Sequence, residues 1–192
     1  EVLELYETAF AANPAAAEDA RFRIEHSQII HPDDLPRFAE LGVIAAMQGI
    51  HAISDGPWTP DRIGDDRTQD RAYQFRDLID SGAVVMNGTD APVEDVDPIP
   101  SYYGTVVGRM NNGEVLNSDE LMTRLEGLQA YTIHAAYGGH EEDIKGSITV
   151  GKLADMVVLS HDILTVPDEA ILDTRVLVTI VGGDVVYEAD GQ

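Results

Sequence analysis

The chain has 192 residues, of which 44% are hydrophobic, enough for one sizeable core or for a larger module with a small appendage. Its 35 acidic residues against 12 Lys and Arg give a net charge of −23, which disfavours nucleic-acid phosphates and anionic membranes as partners. With no cysteine there is neither a disulfide framework nor a thiolate site, so any metal must be held by His, Asp, Glu or a modified Lys. No apolar run is long enough to span a bilayer, and "EVLELYETAF" has neither a basic n-region nor a cleavage site, so a soluble, cytoplasmic protein is expected. The acidic residues are dispersed through periodic segments, as in a strongly hydrated exterior.

Val2, Leu3, Leu5, Tyr6, Ala9 and Phe10 recur at helical spacing and predict a helix from Glu1 to Ala12, ended by Asn13-Pro14. Phe22 to Ser27 reads as a short strand. Pro32, followed by Asp33 and Asp34, suits the first turn of a helix that runs to about Leu41, where Gly42 supplies the C-terminal cap. Val43 to Met47 is continuously apolar, as expected of a parallel strand buried on both faces. A polar loop, "GIHAISDGPWTPDRIGDD", leads to a helix from about Arg67 to Ser81, stopped by Gly82, and "AVVMNGTD" makes another buried strand. A further helix is expected from Asn117 or Ser118, with Glu120 completing a capping interaction, to about Tyr137. From Gly146 the composition turns to Val- and Ile-rich segments broken by Val150-Gly151-Lys152 and Gly182-Gly183-Asp184, which predict short strands joined by tight turns. The expected division is an α/β part over residues 1–145 and β strands over 146–192.

Strands alternating with helices of this length predict right-handed βαβ units and a parallel sheet, with functional groups at the C-terminal strand ends. Those ends carry His26, the stretch from Gln48 to His51, and Asp90. On period-2 alternation His26 shares a face with Phe22 and Ile24 and is aimed inward. Alone, His26 reads either as a ligand or as a hydrogen-bonded core residue, and Asp90 either as a functional carboxylate or as a cap. An imidazole and a carboxylate at the ends of different strands are what zinc binds, and such a carboxylate can also take a proton from bound water.

The ordered succession "RFRIEHSQIIHPDDLPRFAELGVIAAMQ", "IGDDR", "GAVVMNGTDAPVEDVDPIPSYY", "YTIHAAYGG" and "GSITVGKLADMVVLSHDIL" resembles the C-terminal part of the amidohydrolase superfamily. Within it the match is to the amidohydrolase 3 family, related to N-substituted formamide deformylase. The resemblance implies the C-terminal portion of a (β/α)8 TIM barrel, strands six to eight with their helices, plus strands of a small β-sandwich. It makes His26 the metal-binding histidine of strand six and Asp90 the strand-eight aspartate that binds metal and shuttles the proton. It implies a divalent metal, zinc, as one or two ions, and hydrolysis of a C–N bond of an amide or related small molecule, the proton passing through Asp90 to the leaving nitrogen.

Several features depart from the family pattern or lie beside it. The paired histidines of strand one, the carboxylate or carbamylated lysine of strand four and the histidine of strand five are absent, and "EVLELYETAF" matches the helix after strand five. The chain therefore resembles the second part of a longer enzyme, to be completed by an N-terminal segment or another chain, and by itself it should be inactive. Where the family often reads Gln-Pro-x-His, Gly49 replaces the proline between Gln48 and His51; these two are expected to face substrate, although His51 also fits a surface loop. In the same region Arg67 is a further substrate-side candidate, and Trp58 either packs on an apolar substrate group or pins the loop. His31 reads as a helix-start residue. A different class of function also fits: a non-catalytic binding or structural subunit that uses the half-barrel as an interface. Its open sheet edges would favour association, including a homo-oligomer. An open flavodoxin-like domain would need phosphate-binding glycines after a strand, and none appear.

Overall fold

A computed structural model describes residues 1–190. Helix α1 (Val2–Ala12) forms where expected, and its ring face packs on the approach to the first strand: Tyr6 and Phe10 lie 5.1 and 5.2 Å from the Phe22 ring. Asn13-Pro14 ends the helix as expected, and Pro14, suited to the first position of a new turn, starts the short helix α2 (Pro14–Ala17). Strand β1 (Arg23–Glu25) follows, then a 3-10 turn over Pro32–Asp34 and helix α3 (Leu35–Glu40). His31 opens that turn, its Nδ1 accepting the Asp33 N–H at 3.2 Å, and Gly42 takes φ +63° just beyond α3.

Strand β2 (Ile44–Met47) is buried along its whole length and pairs in parallel with β1 on one side, Arg23 opposite Ile44. On the other side it pairs in parallel with a third strand, Met47 opposite Asn87. The run from Val43 to Met47 is apolar throughout because both faces of this strand are covered, Phe38, Phe75 and Leu78 lying in the same core.

The segment expected as a polar loop is helical. It contains α4 (Gly49–Ser54), a 3-10 turn over Gly56–Trp58 and α5 (Thr59–Ile63). Pro57 and Pro60 stand at early helical positions, where a missing N–H costs nothing. The single helix expected from Arg67 to Ser81 is two, α6 (Asp65–Arg71) and α7 (Phe75–Asp80). Tertiary pairing breaks it: the Ile30 N–H donates to the Arg71 carbonyl at 2.9 Å, the Tyr73 N–H donates to the Gln28 carbonyl at 2.8 Å, and Tyr73 turns to φ +54°.

Strand β3 (Val85–Asn87) completes a parallel sheet in the order β1-β2-β3, with Ala45 opposite Val85. Helix α8 (Pro98–Val106) has no counterpart in the sequence reading, since two prolines within three residues mask its pattern, but Asp97 caps it and both prolines lie in its first turn. The expected cap at Asn117 or Ser118 gives only a 3-10 turn over Ser118–Glu120. The α-helix, α9 (Arg124–Tyr131), starts instead from a reciprocal capping box between Thr123 and Glu126, and α10 (Ile133–Gly138) follows. Glu120 caps a different helix, accepting the Arg76 and Asp77 N–H groups of α7 at 3.1 and 3.2 Å.

A second, antiparallel sheet holds β4 (Met156–Leu159), β5 (Val176–Val181) and β6 (Asp184–Glu188) in that order. Gly182 and Gly183, at φ +60° and +91°, make the tight turn between β5 and β6 that the sequence predicts. No strand forms over residues 147–152, where turns replace the expected one. A 3-10 segment over Asp168–Asp173 buries Ile171 against Ile99, Tyr102 and Tyr103 of α8 and so ties this part to the first. The architecture is mixed α/β.

Candidate metal and substrate site

The three parallel strands end side by side, and the first residues beyond them form a cluster. His26 follows β1 directly, Gln48 follows β2 directly, and Asp90 lies three residues past β3. The chain is bent sharply beyond two of the three strands: His26, Ser27 and Asp90 take φ of +70°, +44° and +59°. Such conformations cost non-glycine residues on the order of 1 kcal/mol each and gather at functional sites. The Ser27 hydroxyl, donating to the Ile24 carbonyl at 3.0 Å, holds the first of these bends.

His26 is half exposed, and its Nδ1 lies 3.0 Å from Gln48 Oε1 and 3.9 Å from Asp90 Oδ2. Gln48 is buried, and its Nε2 faces the Ala46 carbonyl at 3.4 Å; a carbonyl only accepts, so the amide oxygen is the atom turned to His26. His26 Nδ1 is then the protonated nitrogen, and Nε2 keeps its lone pair for another partner. This is the arrangement in which a metal-ligating histidine is oriented through its other ring nitrogen. The donor set of one imidazole and one carboxylate suits zinc. Among the described residues no three His, Asp or Glu side chains stand close enough to hold an ion between them.

His51 is carried on α4 and is buried, not on a surface loop, with its ring 6.0 Å from that of His26. Its Nδ1 lies 3.1 Å from Gln28 Nε2, and its Nε2 lies 3.9 Å from Asp90 Oδ2, sealed from solvent and without a hydrogen-bond partner among the described residues. Tyr73, placed by the break between α6 and α7, donates its hydroxyl to the His51 carbonyl at 3.0 Å and sits 3.3 Å from Gln28 Nε2. Burial pushes the Tyr73 phenol well above its ordinary pKa, so it stays a donor.

The position of α4 is set by close backbone contact with α8. A Cβ at Gly49 would meet the Ser101 carbonyl oxygen at 2.2 Å, and one at Gly104 would meet the Gly49 oxygen at 2.1 Å. Asn87 accepts the N–H groups of Gly49 and Gly88 at 3.0 Å each, while Ser101 receives the Ile50 N–H and donates to the Gly88 carbonyl. Tyr131 of α9 donates to that same carbonyl at 3.2 Å.

Of the six residues singled out in the sequence, His26, Gln48, His51 and Asp90 are brought together. Trp58 is half exposed, with the Arg62 guanidinium 5.6 Å above its ring, and Arg67 is exposed on α6; neither joins the cluster's hydrogen bonds among the described residues. The sequence reading missed Gln28 and Tyr73. Gln28 had a signal, since period-2 alternation puts it on the His26 face; Tyr73 had none, because only the broken helix brings it there.

Residues 1–187 match the family described as the Amidohydrolase family. The chain belongs to it. Among its relatives, Protein LONG AFTER FAR-RED 3 of Arabidopsis thaliana is 34% identical over 97% of this chain and 32% of its own length. N-substituted formamide deformylase of Arthrobacter pascens is 29% identical over 99% of the chain and 34% of its own length. A metal-dependent hydrolase from Pyrococcus horikoshii, known from its crystal structure, superposes with a TM-score of 0.72 at 27% identity, covering 88% of this chain and 32% of that one. This member of the amidohydrolase family thus spans about a third of the length of the curated relatives it matches.

Proposed function

We propose that the protein is the C-terminal portion of a (β/α)8 metal-dependent hydrolase that acts on C–N bonds other than peptide bonds, in amides or N-substituted formamide-like small molecules. The observation that carries this reading is the convergence of His26 and Asp90 at the C-terminal ends of one parallel sheet, where such folds keep their chemistry. Its family, and relatives that include a formamide deformylase and a metal-dependent hydrolase, support the reaction class.

His26 Nε2 and the Asp90 carboxylate are the groups that would hold a divalent ion, zinc by their chemistry, the other ligands coming from residues outside this chain. One or two such ions supply Lewis acidity and a water of lowered pKa. Gln48 keeps His26 in the tautomer that leaves Nε2 bare. Asp90, half-buried between two histidines, takes the proton of the attacking water and returns it to the departing nitrogen. His51 and Gln48 lie on the substrate side, and Trp58, in the 3-10 turn before α5, and Arg67, on α6, are the further substrate candidates.

The test is metal analysis and hydrolysis of N-substituted formamides by the intact assembly, with His26→Ala and Asp90→Asn beside the unaltered protein. Zinc retained by the unaltered protein and lost from His26→Ala, with activity abolished in both variants, is the expected result. A metal-free assembly without amidase activity would sink the reading. That outcome would favour the second one, a non-catalytic subunit using its sheets as an interface, homo-oligomeric or paired with another chain. This alternative draws on the half-exposed or more exposed Val157, Val158, Val185 and Val186 of the antiparallel sheet.

A further inference from the structure

The hydrogen bonds around His51 determine which of its ring nitrogens carries the proton. The starting constraint is the His51 carbonyl, which only accepts. Tyr73 Oη lies 3.0 Å from it, so the single phenolic proton is committed there. The Gln28 amide atom 3.3 Å from the same Oη must then be a donor, which makes it the nitrogen and fixes the orientation of the amide. That nitrogen has a second N–H, and the group 3.1 Å away is His51 Nδ1. A ring nitrogen that receives a hydrogen bond carries no proton, so the proton of the neutral ring sits on Nε2.

His51 Nε2–H is buried, has no acceptor within hydrogen-bond range among the described residues, and faces Asp90 Oδ2 at 3.9 Å. We propose that Gln28 and Tyr73 are positioning residues that lock His51 as the Nε2–H tautomer, so that it serves as a fixed donor toward Asp90 and not as a third metal ligand. The gap to Asp90 Oδ2 closes when the carboxylate turns, and the donor then holds one carboxylate oxygen while the other remains free for proton transfer. The role given to Asp90 rests on the function proposed above; the tautomer does not.

Nitrogen-15 NMR of the intact protein with labelled histidine reads the tautomer directly, with His51→Asn used to assign the signals. The expected spectrum shows a pyridine-like Nδ1 and a proton-bearing, pyrrole-like Nε2 for His51. Adding zinc alone should shift His26 and leave the His51 Nε2 proton in place. Gln28→Glu replaces the amide donor by an acceptor and should put a proton on Nδ1; Tyr73→Phe frees the amide to turn and should give a mixture of tautomers. The His134 signal, whose Nδ1 bonds the Val85 carbonyl at 3.0 Å, reports whether each variant is folded. A proton on His51 Nδ1 in the unaltered protein, loss of the Nε2 proton on adding zinc, or a bare Nδ1 in folded Gln28→Glu would each overturn the proposal. Should zinc leave His26 unmoved while the His51 tautomer stands, the metal reading fails and the tautomer lock survives.

Discussion

Gly104→Ala probes the crossing that carries His51 into the site. The new Cβ would stand 2.1 Å from the Gly49 carbonyl oxygen and 2.7 Å from its carbon, both backbone atoms that cannot rotate away. To restore an ordinary contact the two helices must separate by roughly 1 Å, disrupting close packing. Overpacking of this kind costs about 1–3 kcal/mol. Alanine in a helix interior returns up to about 1 kcal/mol relative to glycine. Because the obstruction is backbone, the upper end of the first range applies and a net loss of about 2 kcal/mol is expected. For a chain of this length that lowers the melting temperature by roughly 4–8 °C. Urea unfolding followed by circular dichroism measures it, with Gly127→Ala as the comparison. There the added carbon would meet the Val106 and Tyr102 side chains at 2.6 and 3.0 Å, and Val106 and Tyr102 can shift. Gly127→Ala should therefore be the milder change. A Gly104→Ala protein within about 0.5 kcal/mol of the parent, the usual range for featureless surface changes, would refute the close helix crossing.

Two further outcomes concern the start of α9. Thr123→Ala removes the hydroxyl of the capping box and should cost about 1 kcal/mol in the same unfolding assay, far more than a serine replacement. Glu126 is held down to about 2, from an ordinary 4.5, mainly by its hydrogen bonds with the Arg76 guanidinium. The unfolded chain therefore takes up this proton first on acidification, so the contribution is fully present above about 4.5 and is lost as pH falls toward 2. Glu126→Gln should flatten that part of the stability profile by about 0.5–1 kcal/mol, the scale of an ion pair still reached by solvent. Burial raises Glu120, giving the opposite sign: acidification through its raised pKa favours the folded protein, so Glu120→Gln cannot reproduce the effect of Glu126→Gln. An unchanged acid limb in Glu126→Gln would contradict the Arg76 pairing.

The amino-acid sequence by itself determined the alternation of strands and helices, the buried character of β2, the turn at Gly182-Gly183, and His26 and Asp90 as strand-end groups. These are local or periodic properties, written within a few residues: an apolar run for a strand covered on both faces, glycine where φ is positive, a polar side chain just past a strand. The tertiary structure decided the rest. Ile30 pairs with Arg71 and Tyr73 with Gln28 across two segments, breaking a helix whose own pattern is continuous, which is how Tyr73 reaches Gln28. Thr123, not Asn117, begins α9, because Glu120 turns instead to the N-terminus of α7. Most of all, His51 looked like a loop residue until the glycine contact between α4 and α8 set a helix there and turned its ring toward Asp90. Propensity and spacing act over a turn or two of chain, whereas these choices depend on groups distant in sequence competing for the same donors and the same space.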